Sequence, residues 1–157
     1  MIAPMIYYDY KRFCTDVQSL TKQCEAFRPD TILAVARGGM TLGHALSMAL
    51  DVRNLQSIRT ESYDGGVQRD SINVYGSCDL SASKRILVVD DIVDSGQTLM
   101  HLMPFLRSLN PAAEFKIATL FTKQSALMQP DFSLHEATDW IDFFWERDFL
   151  SDSELPK

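Results

Sequence analysis

The chain has 157 residues, of which 46% are hydrophobic and 23% are charged. This composition is typical of a globular protein and excludes disordered and fibrous classes. A chain of this length buries about 70% of the surface that its unfolded form exposes, so one hydrophobic core is sufficient without disulfides or a structural metal. We therefore expect a single domain over residues 1–157.

The net charge is −6, and the excess of acidic residues lies in residues 131–157. An acidic chain without a basic stripe argues against nucleic acid as a partner, although a few arginines still suit a small phosphorylated ligand. No stretch approaches the roughly 18 consecutive apolar residues of a membrane span. The amino terminus also lacks the basic and apolar regions of a secretory signal. We expect a cytoplasmic protein with no membrane span.

The cysteines at positions 14, 24 and 78 form no CxxC pair, so the sequence suggests neither a disulfide framework nor a zinc site.

The first predicted helix follows Asp9, which is a suitable N-cap. Apolar residues recur after it at helical spacing: Phe13, Val17, Leu20, Cys24 and Phe27. Pro29 ends this helix, and the apolar run over 31–35 predicts a strand covered on both faces. Helical spacing returns over 41–50, and a second strand is expected over 55–60.

Residues 62–79 are polar and rich in glycine, and a connection of this length is more often a functional flap, here with a loose hairpin, than an idle loop. The strongest predicted strand is 85–90, followed by a turn and a helix from Gln97 or Thr98. Pro104 should kink that helix or start a new one. Further strands are predicted over 115–122, 132–134 and 140–144.

Strands that alternate with helices predict an α/β fold with an open, mostly parallel twisted sheet flanked by helices. Ligands of such sheets bind at the carboxyl ends of the strands. Distinctive polar or glycine-rich groups follow three of the predicted strands: Arg37-Gly38-Gly39, Asp90-Asp91 and Lys123. We therefore expect the ligand site at this edge of the sheet.

The junction over 88–98 carries the strongest chemical signal. From Asp94 to Thr98, short residues let the backbone bend, so that N–H groups, hydroxyls and a helix N-terminus converge on a phosphate. The adjacent carboxylates of Asp90 and Asp91 suit sugar hydroxyls or a cation. The junction thus predicts a sugar-phosphate site, with a helix N-terminus decorated by capping acids as the simpler alternative.

The run ILVVDDIVDSGQTL at 86–99 resembles the phosphoribosyl pyrophosphate (PRPP) motif of the type I phosphoribosyltransferases. Within that family the chain is most similar to the bacterial xanthine-guanine and related hypoxanthine-guanine enzymes. The other matching motifs lie in the expected order: AVARGG at 34–39, SYD at 62–64 with Arg69, Lys123, and WIDFFWE at 140–146. Ser95 and Gln97 depart from the motif's frequent threonine and glycine.

The resemblance implies a flexible flap over about 62–79 and a small C-terminal purine-binding hood over about 128–150. It also implies that Mg²⁺ accompanies the pyrophosphate, with Asp91 as its ligand, and that the peptide before Arg37 is often cis. The residues implied to hold PRPP and its pyrophosphate are Arg37, Gly38, Gly39, Arg69, Asp90, Asp91, Asp94, Ser95, Gly96, Gln97 and Thr98.

On the purine side, the resemblance implies that Asp94 exchanges a proton with N7, Lys123 binds O6, Trp140 stacks on the ring and the Ile141 backbone bonds at position 2. The simpler alternatives are a helix cap for Asp94, a solvated lysine for Lys123 and a core aromatic for Trp140.

Four other residues of chemical interest receive no firm role. Glu146 is left as either a magnesium ligand or a structural acid. His44, His101 and His135 show no ligand spacing, and none is given a role.

Together these features predict purine salvage: transfer of the 5-phosphoribosyl group from PRPP to guanine, xanthine or hypoxanthine, giving the nucleoside 5′-monophosphate and pyrophosphate. The alternatives are a non-catalytic regulator that senses PRPP or a nucleotide, and a phosphoribosyltransferase for a different base. The resemblance also implies a homodimer or homotetramer.

Overall fold

The computed structural model describes residues 5–62 and 72–151. The strands are β1 (Met5–Tyr8), β2 (Thr31–Ala36), β3 (Leu55–Ser62), β4 (Ile72–Tyr75), β5 (Arg85–Val89), β6 (Ile92–Val93), β7 (Glu114–Ala118), β8 (Phe121–Thr122), β9 (His135–Glu136) and β10 (Trp140–Phe143). The helices are α1 (Tyr10–Cys24), α2 (Met40–Ala49), α3 (Gln97–Leu109) and α4 (Phe144–Arg147).

A five-stranded sheet in the order β4-β3-β2-β5-β7 forms the centre of the molecule. Strands β3, β2, β5 and β7 run parallel, and β4 pairs antiparallel with β3 at the edge. This arrangement confirms the predicted open, mostly parallel sheet flanked by helices.

Alternate side chains of the central strands divide the core into two clusters. Ile32 of β2 and Leu87 of β5 pack with the buried faces of α1 and α2. Leu33 and Val88, the next residues along each strand, pack with α3 on the other face. Because successive side chains point to opposite faces, strands covered on both sides must be apolar throughout, as β2 and β5 are.

Helix α1 begins after Asp9, as predicted, because Oδ1 of Asp9 accepts a hydrogen bond from the N–H of Arg12 (2.7 Å). The predicted apolar face of this helix is buried. The α-helix ends at Cys24, and a 3₁₀ turn over Glu25–Phe27 completes the face by carrying Phe27 into the core.

Two small parallel sheets adjoin the carboxyl end of the central sheet. One pairs β1 with β10, so that Ile6 lies opposite Ile141 and Tyr8 lies opposite Phe143. The other has the order β6-β8-β9. The sequence pattern predicts no strand over 5–8, because four residues are too few to show a period and the partner strand lies near the other end of the chain.

The chain forms two strands, β7 and β8, where a single strand over 115–122 is predicted. Between them, the N–H of Thr119 donates to the carbonyl of Phe132 (3.0 Å), and the N–H of Leu120 donates to the carbonyl of Asp91 (3.1 Å). These bonds turn the chain away from the central sheet, so β8 pairs with β6 and β9 instead.

The structure contradicts one further prediction and excludes one of the two alternatives given for Pro104. The strand predicted over 132–134 is wrong: Phe132 forms only an isolated bridge with Ala118, and the strand that follows is β9. Helix α3 runs through Pro104 as one element, so no second helix starts there. Pro104 lies on the exposed side, where water can bond to the carbonyl that lacks a helical partner.

Strands β3 and β4 pair antiparallel, but of this pair only Ser62 and β4 lie within 62–79, so the loose hairpin expected in that segment stays a prediction. The connection over 63–71, including Arg69, lies outside the described residues. None of the helices in the described part of the chain is long and apolar enough to cross a membrane.

Candidate active site

A cavity of about 570 Å³ opens at the carboxyl ends of β2, β3 and β5. Its walls also include β10 and the residues that follow β6 and β8. The predicted site residues that line it are Gly38, Asp90, Asp91, Asp94, Thr98, Lys123, Trp140 and Ile141. The structure thus brings the phosphate and purine motifs together at the predicted edge of the sheet.

The loop after β2 places Gly38 directly against the acid pair. A Cβ atom at Gly38 would lie 2.5 Å from Oδ2 of Asp91, so only glycine is accommodated there. The Ala36–Arg37 peptide is cis, as the resemblance implied. The N–H of Gly39 is bonded within the loop (2.8 Å), so Gly39 provides a close turn rather than a free donor.

The carboxylates of Asp90 and Asp91 are held by main-chain N–H groups at the end of β5. Oδ1 of Asp90 accepts from the N–H of Asp91 (2.9 Å), and Oδ1 of Asp91 accepts from the N–H of Ile92 (2.7 Å). Burial raises the pKa of both carboxyl groups, and the charge of Asp91 raises the pKa of Asp90 further. Two crowded carboxylates favour hydroxyl donors or a cation beside them.

Residues 94–98 form the predicted loop between β6 and α3. Ser95, Gly96 and Thr98 line a smaller cavity of about 90 Å³. Gly96 has φ of +85°, and a Cβ atom there would lie 2.7 Å from the main-chain nitrogen of Met128. Within the described residues, the N–H groups of Ser95, Gly96 and Thr98 donate to no protein acceptor, so they are available to phosphate oxygens.

Asp94 and Lys123 form an ion pair, with Nζ of Lys123 2.5 Å from Oδ1 of Asp94. The side chains are 62% and 44% exposed, respectively, so both groups are accessible to a ligand. Gly96 is the N-cap residue of α3, and the side chain that accepts from a first-turn N–H is Ser95, at Gln97 (3.3 Å), rather than Asp94. The simpler alternative for Asp94, a helix cap, is therefore wrong.

Trp140 and Ile141 line the opposite wall of the cavity. Trp140 is 66% exposed, which a core aromatic would not be, whereas Ile141 is buried. The pairing of β1 with β10 places Met5 opposite Trp140 and Ile6 opposite Ile141. The predicted purine platform therefore depends on a strand that the sequence pattern does not reveal.

Glu146 lines the same cavity. Burial and the charges of Asp91 and Asp142 raise the pKa of Glu146, whereas the charge of Arg37 lowers it. Glu146 shares the cavity lining with the acid pair and with Gly38 of the loop after β2. Thr60, near the end of β3, also lines the cavity but was not predicted as a site residue. Its position near the end of the strand beside β2 could have indicated it.

Other predicted residues lie apart from this cavity or outside the residues that the structure describes. Gln97 is exposed at the start of α3, and Arg69 belongs to the undescribed connection. His44, His101 and His135, for which no role is predicted, do not line the cavity.

Comparison with known proteins decides the family. Residues 6–151 match the family model described as the phosphoribosyl transferase domain. The chain belongs to the phosphoribosyltransferase family. A xanthine-guanine phosphoribosyltransferase of Idiomarina loihiensis is 37% identical over 130 residues, which span 80% of this chain and 76% of that relative.

Solved structures of phosphoribosyltransferases show the same fold. The Helicobacter pylori xanthine-guanine-hypoxanthine phosphoribosyltransferase has a TM-score of 0.86 at 39% identity, covering 92% of this chain and 96% of that one. A purine phosphoribosyltransferase from Pyrococcus horikoshii has a TM-score of 0.80 at 28% identity, covering 90% and 93% of the two chains. The similarity therefore extends well beyond the phosphate motif.

Proposed function

We propose that the protein is a purine salvage enzyme that transfers the 5-phosphoribosyl group from PRPP to guanine, xanthine or hypoxanthine. The products are the nucleoside 5′-monophosphate and pyrophosphate. The observation that carries the proposal is a single cavity shared by the acid pair, the Asp94–Lys123 ion pair and the exposed Trp140. Relatives named for these purines support the same substrate class.

PRPP would span the two cavities. Its 5′-phosphate would accept hydrogen bonds from the free N–H groups and hydroxyls of the loop over 94–98. Its ribose hydroxyls would donate to Asp90 and Asp91, whose raised pKa values reflect burial without a counter-charge. Its pyrophosphate would lie at Arg37 and Gly38, with Arg69 of the flap as a further cation.

Magnesium is the proposed cofactor, held by Asp91, with Glu146 of the same cavity as a further candidate carboxylate. Burial raises the pKa of both groups because it disfavours the ionised carboxylate, and a cation beside them would stabilise that ionised form. No cluster of three or more metal-ligating side chains occurs in the described segments, which suits an ion that binds through few carboxylates together with water and substrate phosphates. Bound magnesium would neutralise charge on the departing pyrophosphate.

In the proposed reaction, purine N9 forms a bond to the anomeric carbon of the ribose as the bond from that carbon to pyrophosphate oxygen breaks. The proton on N7 passes to the carboxylate of Asp94. Arg37 and the N–H of Gly38 stabilise the negative charge that develops on the leaving pyrophosphate.

The Asp94–Lys123 ion pair explains the preference for a 6-oxopurine. The carboxylate of Asp94 and the ammonium of Lys123 pair with each other (2.5 Å). A 6-oxopurine presents a donor at N7 beside an acceptor at O6. N7–H can therefore donate to Asp94 in place of Lys123, and O6 can accept from Lys123 in place of Asp94. A 6-aminopurine presents a second donor to the lysine ammonium, which has no acceptor, and is therefore disfavoured.

The decisive assay incubates the protein with PRPP, Mg²⁺ and one base at a time, and follows pyrophosphate release. We expect product with at least one of guanine, xanthine and hypoxanthine and none with adenine or a pyrimidine. Product with another base alone would identify a different transferase. Binding of PRPP by calorimetry without turnover on any base would identify a sensor.

We also propose that the enzyme is cytoplasmic and forms a homodimer or homotetramer. The cysteines in the described segments are free thiols, as expected in a reducing compartment. Light scattering coupled to size-exclusion chromatography tests the assembly, for which a monomer at micromolar concentration would be the contrary result.

A further inference from the structure

Asp16 is a buried carboxylate that none of the proposed chemistry uses. It lies on α1 and is only 7% exposed. A single oxygen, Oδ2, accepts a hydrogen bond from the hydroxyl of Tyr8 (2.6 Å) and one from Nε2 of His135 (2.8 Å). One atom of α1 thus joins strand β1 to strand β9.

These two strands belong to the two small sheets that form the purine end of the cavity. The β1-β10 sheet carries Trp140 and Ile141. In the β6-β8-β9 sheet, β6 leads directly into Asp94 and β8 leads directly into Lys123. The Asp16 carboxylate therefore links the wall that would stack on the purine to the wall that would recognise N7 and O6.

We propose that Asp16 is a positioning residue that sets the spacing between these two walls, with Tyr8 and His135 as its contacts to each. This inference rests on the proposed purine transferase activity. In the described residues the two sheets share no strand pairing, so side chains connect them: the Asp16 link, and the ring of Phe121 packed against Tyr8 (5.4 Å) and Phe143 (5.9 Å).

The chain of contacts from Asp16 to the purine side chains is short on both sides. Tyr8 lies opposite Phe143, and its ring packs edge-on against that ring at 5.6 Å, two residues beyond Ile141. His135 lies opposite Phe121, at 5.1 Å between ring centroids, two residues before Lys123.

The donors and acceptors of the three side chains are complementary. Burial and the hydrogen bond to Asp16 raise the pKa of Tyr8, so its hydroxyl remains a donor. A carboxylate oxygen can only accept, so Nε2 of His135 carries the proton in this bond. The Arg12 guanidinium lies over the rings of Tyr8 and Phe121, at 5.3 and 5.6 Å from their centroids, and supplies positive charge nearby.

Kinetics of three variants separate positioning from simple stabilisation. His135→Ala removes the link to β9, and His135→Gln retains a donor nitrogen that can reach Asp16. Asn110→Ala is the matched control. It also removes side-chain hydrogen bonds, which Asn110 donates to the carbonyls of Leu80 and Ser83 (both 2.8 Å), but these bonds lie outside the purine site. Wild-type turnover is established first, which tests the proposed function on its own.

We expect His135→Ala to raise KM for the purine about tenfold, because a misplacement of about 1 Å in a binding wall costs up to a hundredfold. KM for PRPP should remain within about twofold of the wild type, and His135→Gln should restore purine KM. Asn110→Ala should lower the melting temperature without changing purine KM.

Three results would overturn the inference. The first is a His135→Ala enzyme that melts earlier but keeps the wild-type KM for purine, which would make the link structural only. The second is an equal rise in KM for both substrates. The third is failure of glutamine to rescue the alanine defect. The test changes His135 rather than the buried Asp16, so it does not depend on whether an Asp16 variant folds.

Discussion

The two ends of the active-site cavity are built in different ways. The phosphate end comes from one continuous segment, in which β5, the acid pair, the loop over 94–98 and α3 follow one another. The purine end is assembled from the residues after β6 and β8 together with β10, which pairs with β1 at the opposite end of the chain. A continuous segment encodes its own geometry, whereas an assembled wall depends on long-range pairing.

The two ends also differ in what holds the ligand. At the phosphate end the proposed donors are mainly main-chain N–H groups, whose directions are fixed by backbone conformation. At the purine end the expected contacts are mostly the exposed side chains of Asp94, Lys123 and Trp140. Side-chain substitutions should therefore affect the purine end most, whereas backbone substitutions should affect the phosphate end.

The largest effect is expected from Asp94→Asn. This change keeps the shape of the side chain but removes the group that accepts the N7 proton, so kcat should fall about 10²- to 10⁴-fold. Steady-state kinetics with a 6-oxopurine measure it. Asp139→Asn alters another acid that lines the cavity and should change kcat less than about threefold. Near wild-type turnover in Asp94→Asn would remove the carboxylate from the proposed reaction.

The contrast between the two ends also explains which features of the site can be predicted from the sequence and which cannot. The strand-loop-helix order over 85–98 follows from apolar runs, glycine and short polar residues, all of which act locally. The closeness of Gly38 to Asp91 does not appear in any local pattern, since it results from the pairing of β2 with β5. The pattern over 115–122 likewise cannot show that hydrogen bonds at Thr119 and Leu120 turn the chain.

At the purine end, strand order alone placed Lys123 at the ligand edge of the sheet, but the purine-binding roles of Lys123 and Trp140 were predicted only through the family resemblance. A lysine after a strand is most often solvated, and a tryptophan is most often in the core. Their actual placement depends on β8 leaving the central sheet and on β1 pairing with β10. Both are long-range events that the chain order does not specify.

The next largest effect is expected at the phosphate end from Gly96→Ala. Alanine at φ of +85° is strained by about 1–2 kcal/mol, and its Cβ would also crowd the nitrogen of Met128 at 2.7 Å. The loop must shift, so KM for PRPP should rise about tenfold or more. Gly76→Ala is the control for backbone strain alone. Gly76 has φ of +89°, but a Cβ atom there would have no heavy atom within 4 Å and would therefore cause no crowding.

Thermal unfolding of both glycine variants shows whether crowding adds to strain. We expect a greater loss of stability for Gly96→Ala than for Gly76→Ala. Equal losses, together with an unchanged KM for PRPP in Gly96→Ala, would mean that the loop backbone does not hold the phosphate.

A smaller effect is expected from Trp140→Ala. Stacking of a base on an aromatic ring is worth about 1–3 kcal/mol, so KM for the purine should rise about fivefold or more. Stability should hardly change because the side chain is 66% exposed. Trp140→Phe should keep most of the affinity, and Phe149→Ala controls for loss of an exposed aromatic that does not line the cavity. Unchanged purine KM in Trp140→Ala would exclude stacking.

The smallest effect is a gain in stability from Asp90→Asn without ligand. Burial and the charge of Asp91 raise the pKa of Asp90, so the folded state binds this proton more tightly than the unfolded state does. The ionised group therefore costs stability above its folded pKa, and this cost disappears as the pH falls below the unfolded pKa. Asparagine retains an oxygen to accept from the N–H of Asp91 but carries no charge.

At neutral pH we expect Asp90→Asn to gain about 1 kcal/mol, a rise of about 2–4 °C in melting temperature. The gain should shrink as the pH is lowered, because the wild-type carboxyl group becomes protonated as well. Stabilisation by added PRPP should fall in the variant, since a ribose partner has changed. A variant less stable than the wild type at neutral pH would show that the protein itself compensates the charge of Asp90. The acid pair would then carry no uncompensated charge to favour a bound sugar or cation.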